Sequence, residues 1–229
     1  DLCMLNITIS DEIFKACPGY VAAVLSCTVK NSPSDPRLWE EIAQEEAAIK
    51  ANVKIEEINK WAPIKATRDV YKKLGKDPNR YRPSAESLRR RIVRGLSLYQ
   101  VDTLVDLINL LSIRTGYSIG GFDLDKIQGG QLTLGVGREG ELYHGIGRGE
   151  LNIAGLPVYR DAVGGIGTPT SDEERTKIDL QTTRLLMIIN GYSGYDGLEE
   201  AIDYAYRLLN QYASVEHADL SIYRKKESE

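Results

Sequence analysis

The chain has 229 residues, 42% of them hydrophobic, and a formal net charge of −4. This length fits one large domain or two small ones and allows a sizeable core. No apolar run approaches the ~20 residues of a membrane helix, and residues 1–9 lack a basic leader, so we expect no membrane contact and a cytoplasmic location. Three cysteines without a CxxC pair favour reduced thiols, and two histidines exclude a histidine-rich metal site.

Charge is distributed unevenly along the chain. From Lys65 to Arg94, eleven Lys and Arg residues stand beside three acids, so this segment carries +8 and the remainder −12. A basic face can hold a polyanion even on an acidic protein, although a solvated helix surface is the simpler interpretation. The candidate nucleic-acid contacts are Lys72, Lys73, Arg80, Arg82, Arg89, Arg90, Arg91 and Arg94.

The first half of the chain predicts two strands followed by helices. Strands are expected over residues 3–9 and 19–29, the second of them Val-rich and buried. Asp35 followed by Pro36 is typical of a helix start, and apolar spacing continues that helix to a break near Trp61. Further helices are predicted at about 64–74, 84–94 and 101–115. On the last of these, Asp102, Asp106 and Asn109 share one face, for which we expect either solvent exposure or an Asn109 that faces a pocket.

After Gly116 the pattern changes to short strands separated by glycines. The candidates are residues 117–122, 131–134, 141–144, 156–160 and 185–189, with a last strand at 219–223. Asp196 with Glu199 three residues later predicts a capping box for one more helix. Helices precede a run of strands, which indicates an α+β protein rather than alternating α/β.

Two local patterns suggest chemistry that the surrounding sequence does not support. Gly135, Gly137 and Gly140 satisfy G-x-G-x-x-G, but more glycines follow where a dinucleotide site needs a helix, so we predict a hairpin. Three consecutive acids, residues 172–174, could bind an amine or a hydrated metal, but a solvated loop is the simpler interpretation. We therefore expect no metal and no cofactor.

One stretch resembles a known family. The B3/B4 domain of the phenylalanyl-tRNA synthetase β subunit carries a motif of the form VVDxTNYVxLExGQPxHAFDLDKL, and the ungapped matches here are Val105, Asp106, Asn109, Gly116, Phe122, Asp123, Leu124, Asp125 and Lys126. Two further stretches, YRPSxExLxRR beginning at Tyr81 and PTSDxERT at residues 169–176, are similar to free-standing B3/B4-type proteins.

The resemblance implies a three-layer β/β/α fold, here with an N-terminal strand-helix extension. We expect a single B3/B4-type domain over residues 1–229, divided into an N-terminal strand and helical part (1–80) and a B3/B4 core (81–229). In the synthetase this domain hydrolyses tyrosine wrongly attached to phenylalanine tRNA.

The implied pocket differs from that of the family. Asn109 corresponds to the pocket asparagine and Gly164-Gly165 to a Gly-Gly loop, but Gly120 stands where the motif has histidine. Residues 186–189 are apolar where the family has a later acid, so the amino-acid specificity does not carry over. The pocket candidates are Asn109, Ser118, Gly120, Gly164, Gly165 and Thr176, and no residue is assigned a catalytic role.

Three functions remain open from the sequence. The first is a module that binds tRNA or another RNA, and the second is a hydrolase that deacylates mischarged tRNA in trans. The third is a protein that binds an amino acid or small metabolite without RNA. No ATP or magnesium signature is present, so we do not expect the chain to charge tRNA alone, and its oligomeric state stays open.

Overall fold

The computed structural model describes residues 5–227 and has an α+β fold. Its helices are α1 (Asp11–Ala16), α2 (Pro36–Asn52), α3 (Ala62–Lys73), α4 (Ser84–Val93), α5 (Thr103–Thr115) and α6 (Leu198–Tyr212). Its strands are β1 (Asn6–Ile9), β2 (Val21–Thr28), β3 (Ser118–Asp123), β4 (Gln131–Val136), β5 (His144–Gly145), β6 (Gly149–Glu150), β7 (Pro157–Arg160), β8 (Gly165–Gly167), β9 (Arg184–Gly191) and β10 (Glu216–Arg224). The start of the strand predicted over 3–9, with Cys3, lies outside the described residues.

Two four-stranded sheets carry the fold. In the first sheet the strand order is β1-β4-β7-β8, with β1 parallel to β4 and the other pairs antiparallel. In the second sheet the order is β10-β2-β9-β3, and every pair is antiparallel. Strands β1 and β2 thus bring the N-terminal part of the chain into both sheets. The division at residue 80 stays a prediction.

Alternation along the central strands of the second sheet builds three layers. Leu185, Met187 and Ile189 of β9 pack in a core that also contains the apolar faces of α2, α5 and α6. Leu186 and Ile188 point the other way, into a core shared with the first sheet. Because successive side chains of a strand point to opposite faces, one apolar run serves both interfaces. The predicted three-layer β/β/α arrangement is confirmed.

Helix starts show where local chemistry suffices and where it does not. The side chain of Asp35 accepts a hydrogen bond from the Arg37 amide and Pro36 opens α2, as predicted. The capping box at Asp196 is wrong: Gly197, at φ 86°, is the residue before α6, and no side chain caps that helix. The Asp196 carbonyl instead accepts a hydrogen bond from the Tyr117 hydroxyl at 2.9 Å, so a tertiary contact determines this start.

The polar face of α5 is buried, which corrects the expectation of solvent exposure. Asp102 and Asp106 are 3% and 1% exposed, and only Asn109 keeps partial exposure. Asp102 caps α5 by accepting from the Val105 amide at 2.9 Å. The face is covered because the segment before α2 folds over it, with Ser34 donating to Asp106.

The glycine-rich region forms short pairings and no helix. The segment after β4 turns without helix, as expected for a hairpin, and the predicted strand 141–144 is reduced to the His144–Gly145 pairing with β6. Cys17 and Cys27 are both buried free thiols. None of the described helices is long and apolar enough to cross a membrane.

Candidate functional site

A small cavity lies between the two sheets, where β3 and β9 face β7 and the loop after β8. Side chains and backbone from both sheets line it, among them Ser118, Gly120, Tyr159, Asp172, Asn190 and Tyr192. The space that the centre of a water molecule can occupy is about 10 Å³, so the cavity has room for roughly one water. Any larger ligand must displace part of its wall.

A polar network forms one wall of this cavity. The hydroxyls of Tyr20 and Tyr159 lie 2.6 Å and 2.8 Å from Oδ1 of Asn190 and 2.6 Å from each other. The Asn190 amide donates to the Ser118 carbonyl at 3.1 Å, which sets the orientation of the amide. Two hydroxyl hydrogens serve three short contacts, so at most two of the contacts are hydrogen bonds at one time.

Both tyrosines of the network remain protonated at neutral pH. Burial raises the pKa of Tyr20 and Tyr159 above the usual range. The Tyr159 hydroxyl, which lines the cavity, can therefore donate to a ligand oxygen if its contact with Asn190 rearranges, and Tyr20 lies behind it in the network.

Asp172 supplies the carboxyl of the cavity. The residue as a whole is partly exposed, but desolvation of its enclosed carboxyl raises the pKa to about 8, partly offset by a hydrogen bond from the Gly121 amide. That amide is 3.5 Å from Oδ2, at the limit of a hydrogen bond, and no Lys or Arg pairs with Asp172 in the described chain. The carboxyl is therefore mainly neutral at pH 7 and can act as a donor or take up a cationic partner.

Glycines allow the walls to close around Asp172. A Cβ at Gly167 would lie 2.6 Å from the Phe122 ring and 2.9 Å from Oδ1 of Asp172. A Cβ at Gly120 would lie 2.8 Å from the same ring. Separations below 3.0 Å are not tolerated, so both positions need glycine for a packing reason.

The cavity includes two of the six predicted pocket residues, Ser118 and Gly120. Asn109 is on α5, on the opposite face of the second sheet, and does not line it. Gly165 is buried in β8 under the Tyr143 ring, whereas Gly164 lies in the preceding turn, where its carbonyl accepts from the Asp161 amide. Thr176 is buried in a 3₁₀ turn at Glu174–Thr176.

Sequence reasoning missed Asp172, Asn190, Tyr20 and Tyr159 as a group. Asp172 belongs to the PTSDxERT stretch, but the interpretation of residues 172–174 as a solvated acidic loop is wrong for its enclosed carboxyl. Asn190 gave a usable signal, because a polar residue ends the buried apolar run of β9. The two tyrosines gave none, since the pairing of β2 with β9 brings Tyr20 to Asn190 and the packing of the two sheets brings Tyr159 there. Within residues 5–227, no group of three or more His, Cys, Asp or Glu side chains could hold a metal ion.

The three consecutive arginines of α4 point in different directions. Arg89 stacks on Trp61 at 3.8 Å and donates to the Ile113 carbonyl at 2.8 Å. Arg91 stacks on Tyr99 at 4.0 Å, and Arg90 lies 3.7 Å from Glu86. Successive residues of a helix differ by about 100°, so a run of three cannot form one flat patch.

The remaining basic candidates are mostly at the surface. Lys72, Lys73, Arg80 and Arg94 are exposed, and Lys73 also donates to the Ala16 carbonyl at 3.1 Å. Arg82 is partly exposed and lies 3.8 Å from Glu86. Arg80 lies over the Tyr81 ring at 5.7 Å. Lys72, Lys73 and Arg94 could meet a polyanion at the surface.

The basic segment is fastened to the loop that lines the cavity. The Tyr71 hydroxyl is 2.8 Å from the Thr170 hydroxyl, which donates to the Tyr81 carbonyl at 2.9 Å. The Ser84 amide donates to the Pro169 carbonyl at 2.8 Å. Tyr71, next to Lys72, and Tyr81, next to Arg80, are therefore held against the loop that continues into Asp172.

Comparisons with known proteins match a family model to more than half of the chain. The family model described as "B3/4 domain" matches residues 66–214. A solved N-terminal fragment of the phenylalanyl-tRNA synthetase β subunit from Pyrococcus horikoshii is similar at 12% identity with a TM-score of 0.46, covering 92% of this chain and 50% of the fragment. The chain thus spans half the length of that fragment. No curated protein matches the chain.

Proposed function

Because this chain belongs to the B3/4 domain family, we propose that it binds tRNA or another RNA and that a small group of this ligand enters the cavity between the sheets. A cytoplasmic location goes with this proposal. The similarity to the synthetase fragment does not identify a ligand, so the support for the proposal comes from the residues of this chain.

The observation that carries the proposal is the attachment of the basic segment to the cavity loop. Thr170 contacts both Tyr71 and Tyr81, and these two tyrosines are the chain neighbours of Lys72 and Arg80. A phosphate backbone held by these cations would pass close to the loop that bears Asp172. Electrostatic contacts to phosphates dominate nucleic-acid affinity and need no base recognition.

Chemistry inside the cavity suits the amino group of an amino acid. A cationic ammonium beside Asp172 would favour the ionised carboxyl and lower its pKa, because an opposite charge stabilises the charged form. Tyr159 could donate to an ester or carboxylate oxygen. An aminoacyl end of tRNA would present both groups together.

RNA binding is tested with the triple variant Lys72→Ala, Lys73→Ala, Arg80→Ala. We expect weaker binding of a labelled tRNA in fluorescence anisotropy, and a salt slope reduced by about 2 if each lost contact contributes the usual ~0.7–0.9. The matched control is Lys50→Ala, Lys54→Ala, Lys60→Ala, which removes the same charge from exposed positions of another segment. Equal losses in both variants would reduce the effect to net charge, and absence of RNA binding by the unmodified chain at low salt would exclude the proposal.

Deacylation in trans is a second candidate, favoured by the unpaired Asp172 carboxyl. A general acid or base works best when its pKa is near the working pH, and a value of about 8 meets that condition. We expect Asp172→Asn to reduce release of the amino acid from a panel of charged tRNAs, with exposed Asp125→Asn as the control. Loss of activity in Asn109→Ala but not in Asp172→Asn would move the site to the helix side of the sheet. Thermal stabilisation by a free amino acid, without any RNA binding, would favour the third function.

A further inference from the structure

Three arginines, Arg68, Arg82 and Arg90, lie within 4.0 Å of the Glu86 carboxylate beside α4. Glu86 and Arg90 are one turn apart on α4, and Arg94 directly follows the end of that helix, one turn after Arg90. Arg68 of α3 reaches the same carboxylate from the neighbouring helix. The cluster carries four positive charges against one negative charge.

Only one of these arginines is matched by Glu86 at hydrogen-bond distance. Arg68 Nη1 lies 2.7 Å from Glu86 Oε1, and the two side chains are 8% and 1% exposed. Arg82 and Arg90 are 3.8 Å and 3.7 Å from the other oxygen, Oε2, which is too long for a hydrogen bond. Glu86 therefore hydrogen-bonds Arg68, whereas Arg82 and Arg90 share the other oxygen of the same carboxylate in two longer ion pairs.

Two donors of the cluster lack an acceptor. The Nε atoms of Arg82 and Arg90 are buried and have no hydrogen-bond partner in the described part of the chain. Buried polar groups in folded proteins are nearly always hydrogen-bonded, because an unmatched donor keeps its full desolvation cost. Desolvation, followed by the nearby Arg82 guanidinium, lowers the pKa of Arg90, while Glu86 acts in the opposite direction.

The cluster is open to a ligand from one side. The Arg82 side chain is 37% exposed and that of Arg90 is 18% exposed, while Arg94 lies at the surface. The unmatched guanidinium groups therefore belong to a partly desolvated site at the surface and are not sealed in the core.

We propose that Arg82, Arg90 and Arg94 form an oxyanion site that binds a phosphate group. A phosphate supplies several acceptor oxygens and up to two negative charges, which suits the partly exposed guanidinium groups of Arg82 and Arg90 and the excess of arginines over the single carboxylate. Guanidinium groups recognise phosphate through paired, charge-assisted hydrogen bonds, and partial burial strengthens these bonds.

This site is separate from the cavity and does not depend on the proposed RNA binding. None of its residues lines the cavity between the sheets. The phosphate can belong to a nucleic acid or to a free phosphate-bearing molecule, since both present the same group to the arginines.

The test is a titration of the full chain with inorganic phosphate at constant ionic strength, with chloride as the reference salt. We expect phosphate to raise the melting temperature of the unmodified chain and of Arg91→Gln, the adjacent arginine outside the cluster. In Arg90→Gln we expect phosphate binding, measured by calorimetry, to weaken by about tenfold or more. Glu86 keeps its Arg68 partner in that variant, so the fold should survive.

Arg94→Gln covers the case in which Arg90→Gln does not fold, because Arg94 is exposed and has no packing role. It should also weaken phosphate binding relative to Arg91→Gln. A phosphate effect no larger than that of chloride, or equal phosphate affinity in all the variants, would overturn the proposal.

Once phosphate binding is established, the same variants identify its source. Weaker tRNA binding by Arg90→Gln than by Arg91→Gln would assign the phosphate to the nucleic acid. Equal tRNA binding would assign it to a small phosphorylated molecule. Either result supports the site and names the class of its ligand.

Discussion

Two buried carboxylates of this protein lie in contrasting surroundings. Asp106, at the start of α5, accepts hydrogen bonds from Ser34, the Trp39 indole and the Val101 amide. Asp172, between the sheets, has one amide contact at 3.5 Å. A carboxylate that accepts several hydrogen bonds within the protein connects the segments that donate them. A carboxyl group with few such bonds destabilises the fold and remains available to a ligand.

The same contrast extends to the layers on either side of the second sheet. The helix side of β9 packs Leu185, Met187 and Ile189 in an apolar core. The other side combines Leu186 and Ile188 with the tyrosine–Asn190 network and the cavity. The helix side of β9 is therefore an apolar packing layer, whereas the side toward the first sheet also contains hydrogen-bonded polar groups.

The largest expected effect comes from the Asp172 carboxyl and depends on pH. The folded-state pKa of Asp172 is about 8, above its unfolded value of about 3.9. The folded state therefore holds the proton more tightly, and its stability falls as pH rises between these two values, by about 1.4 kcal/mol per unit. From about pH 5 to about pH 8 the loss is of the order of 4 kcal/mol, and Asp172→Asn should abolish it.

Urea unfolding of both proteins across this pH range measures the difference. Since the contribution is present at low pH and lost through pH 8, the Asn variant should gain relative to the unmodified chain at every higher pH. Parallel stability curves would mean that the Asp172 carboxyl has an ordinary pKa and is hydrated.

Next in size is the loss of the Asp106 carboxylate. Asp106→Ala leaves the Ser34 hydroxyl, the Trp39 indole and the Val101 amide without their acceptor. We expect the free energy of unfolding to fall by about 3 kcal/mol. Asp106→Asn keeps one acceptor oxygen and should lose less. Equal losses in the two variants would show that packing, and not hydrogen bonding, is the main role of Asp106.

A smaller effect is expected in the tyrosine network. Asn190→Ala removes the acceptor shared by Tyr20 and Tyr159 and should destabilise the fold by about 2 kcal/mol in urea unfolding. Tyr159→Phe should cost less, about 1 kcal/mol, because the three short contacts have only two hydroxyl hydrogens to share. A larger loss in Tyr159→Phe would mean that the tyrosine hydroxyls, rather than the amide, organise this wall.

The smallest effect separates the starts of α5 and α6. Asp102 caps α5 through its side chain, so Asp102→Ala should cost about 1 kcal/mol of the free energy of unfolding. Asp196 is exposed and does not cap α6, so Asp196→Ala should change it by less than about 0.5 kcal/mol. Thermal unfolding of the two variants makes the comparison. An equal loss of the free energy of unfolding in the Asp196 and Asp102 variants would show that the Asp196 side chain does cap α6.

Local chemistry was readable from the sequence wherever neighbouring residues decide the structure. Capping residues predict the start of α2 at Asp35 and Pro36. The spacing of apolar residues predicts α5 and the buried strands β2 and β9. The layer arrangement followed from the family resemblance rather than from those patterns. Ser118 and Gly120 were predicted correctly as cavity residues because they lie on β3, a strand that the sequence predicts.

Only the tertiary structure decided which charged residues are free. Arg89 and Arg91 are engaged by Trp61 and Tyr99, which the count of basic residues could not show. Asp172 became the enclosed carboxyl because the loop after β8 folds against β3, although its neighbours in sequence are acids of an ordinary loop. The sequence thus determined the elements and the basic segment, since propensity and charge are properties of short stretches. Burial and pairing arise between segments far apart in the chain, so the cavity and the unmatched arginines appear only once the layers are assembled.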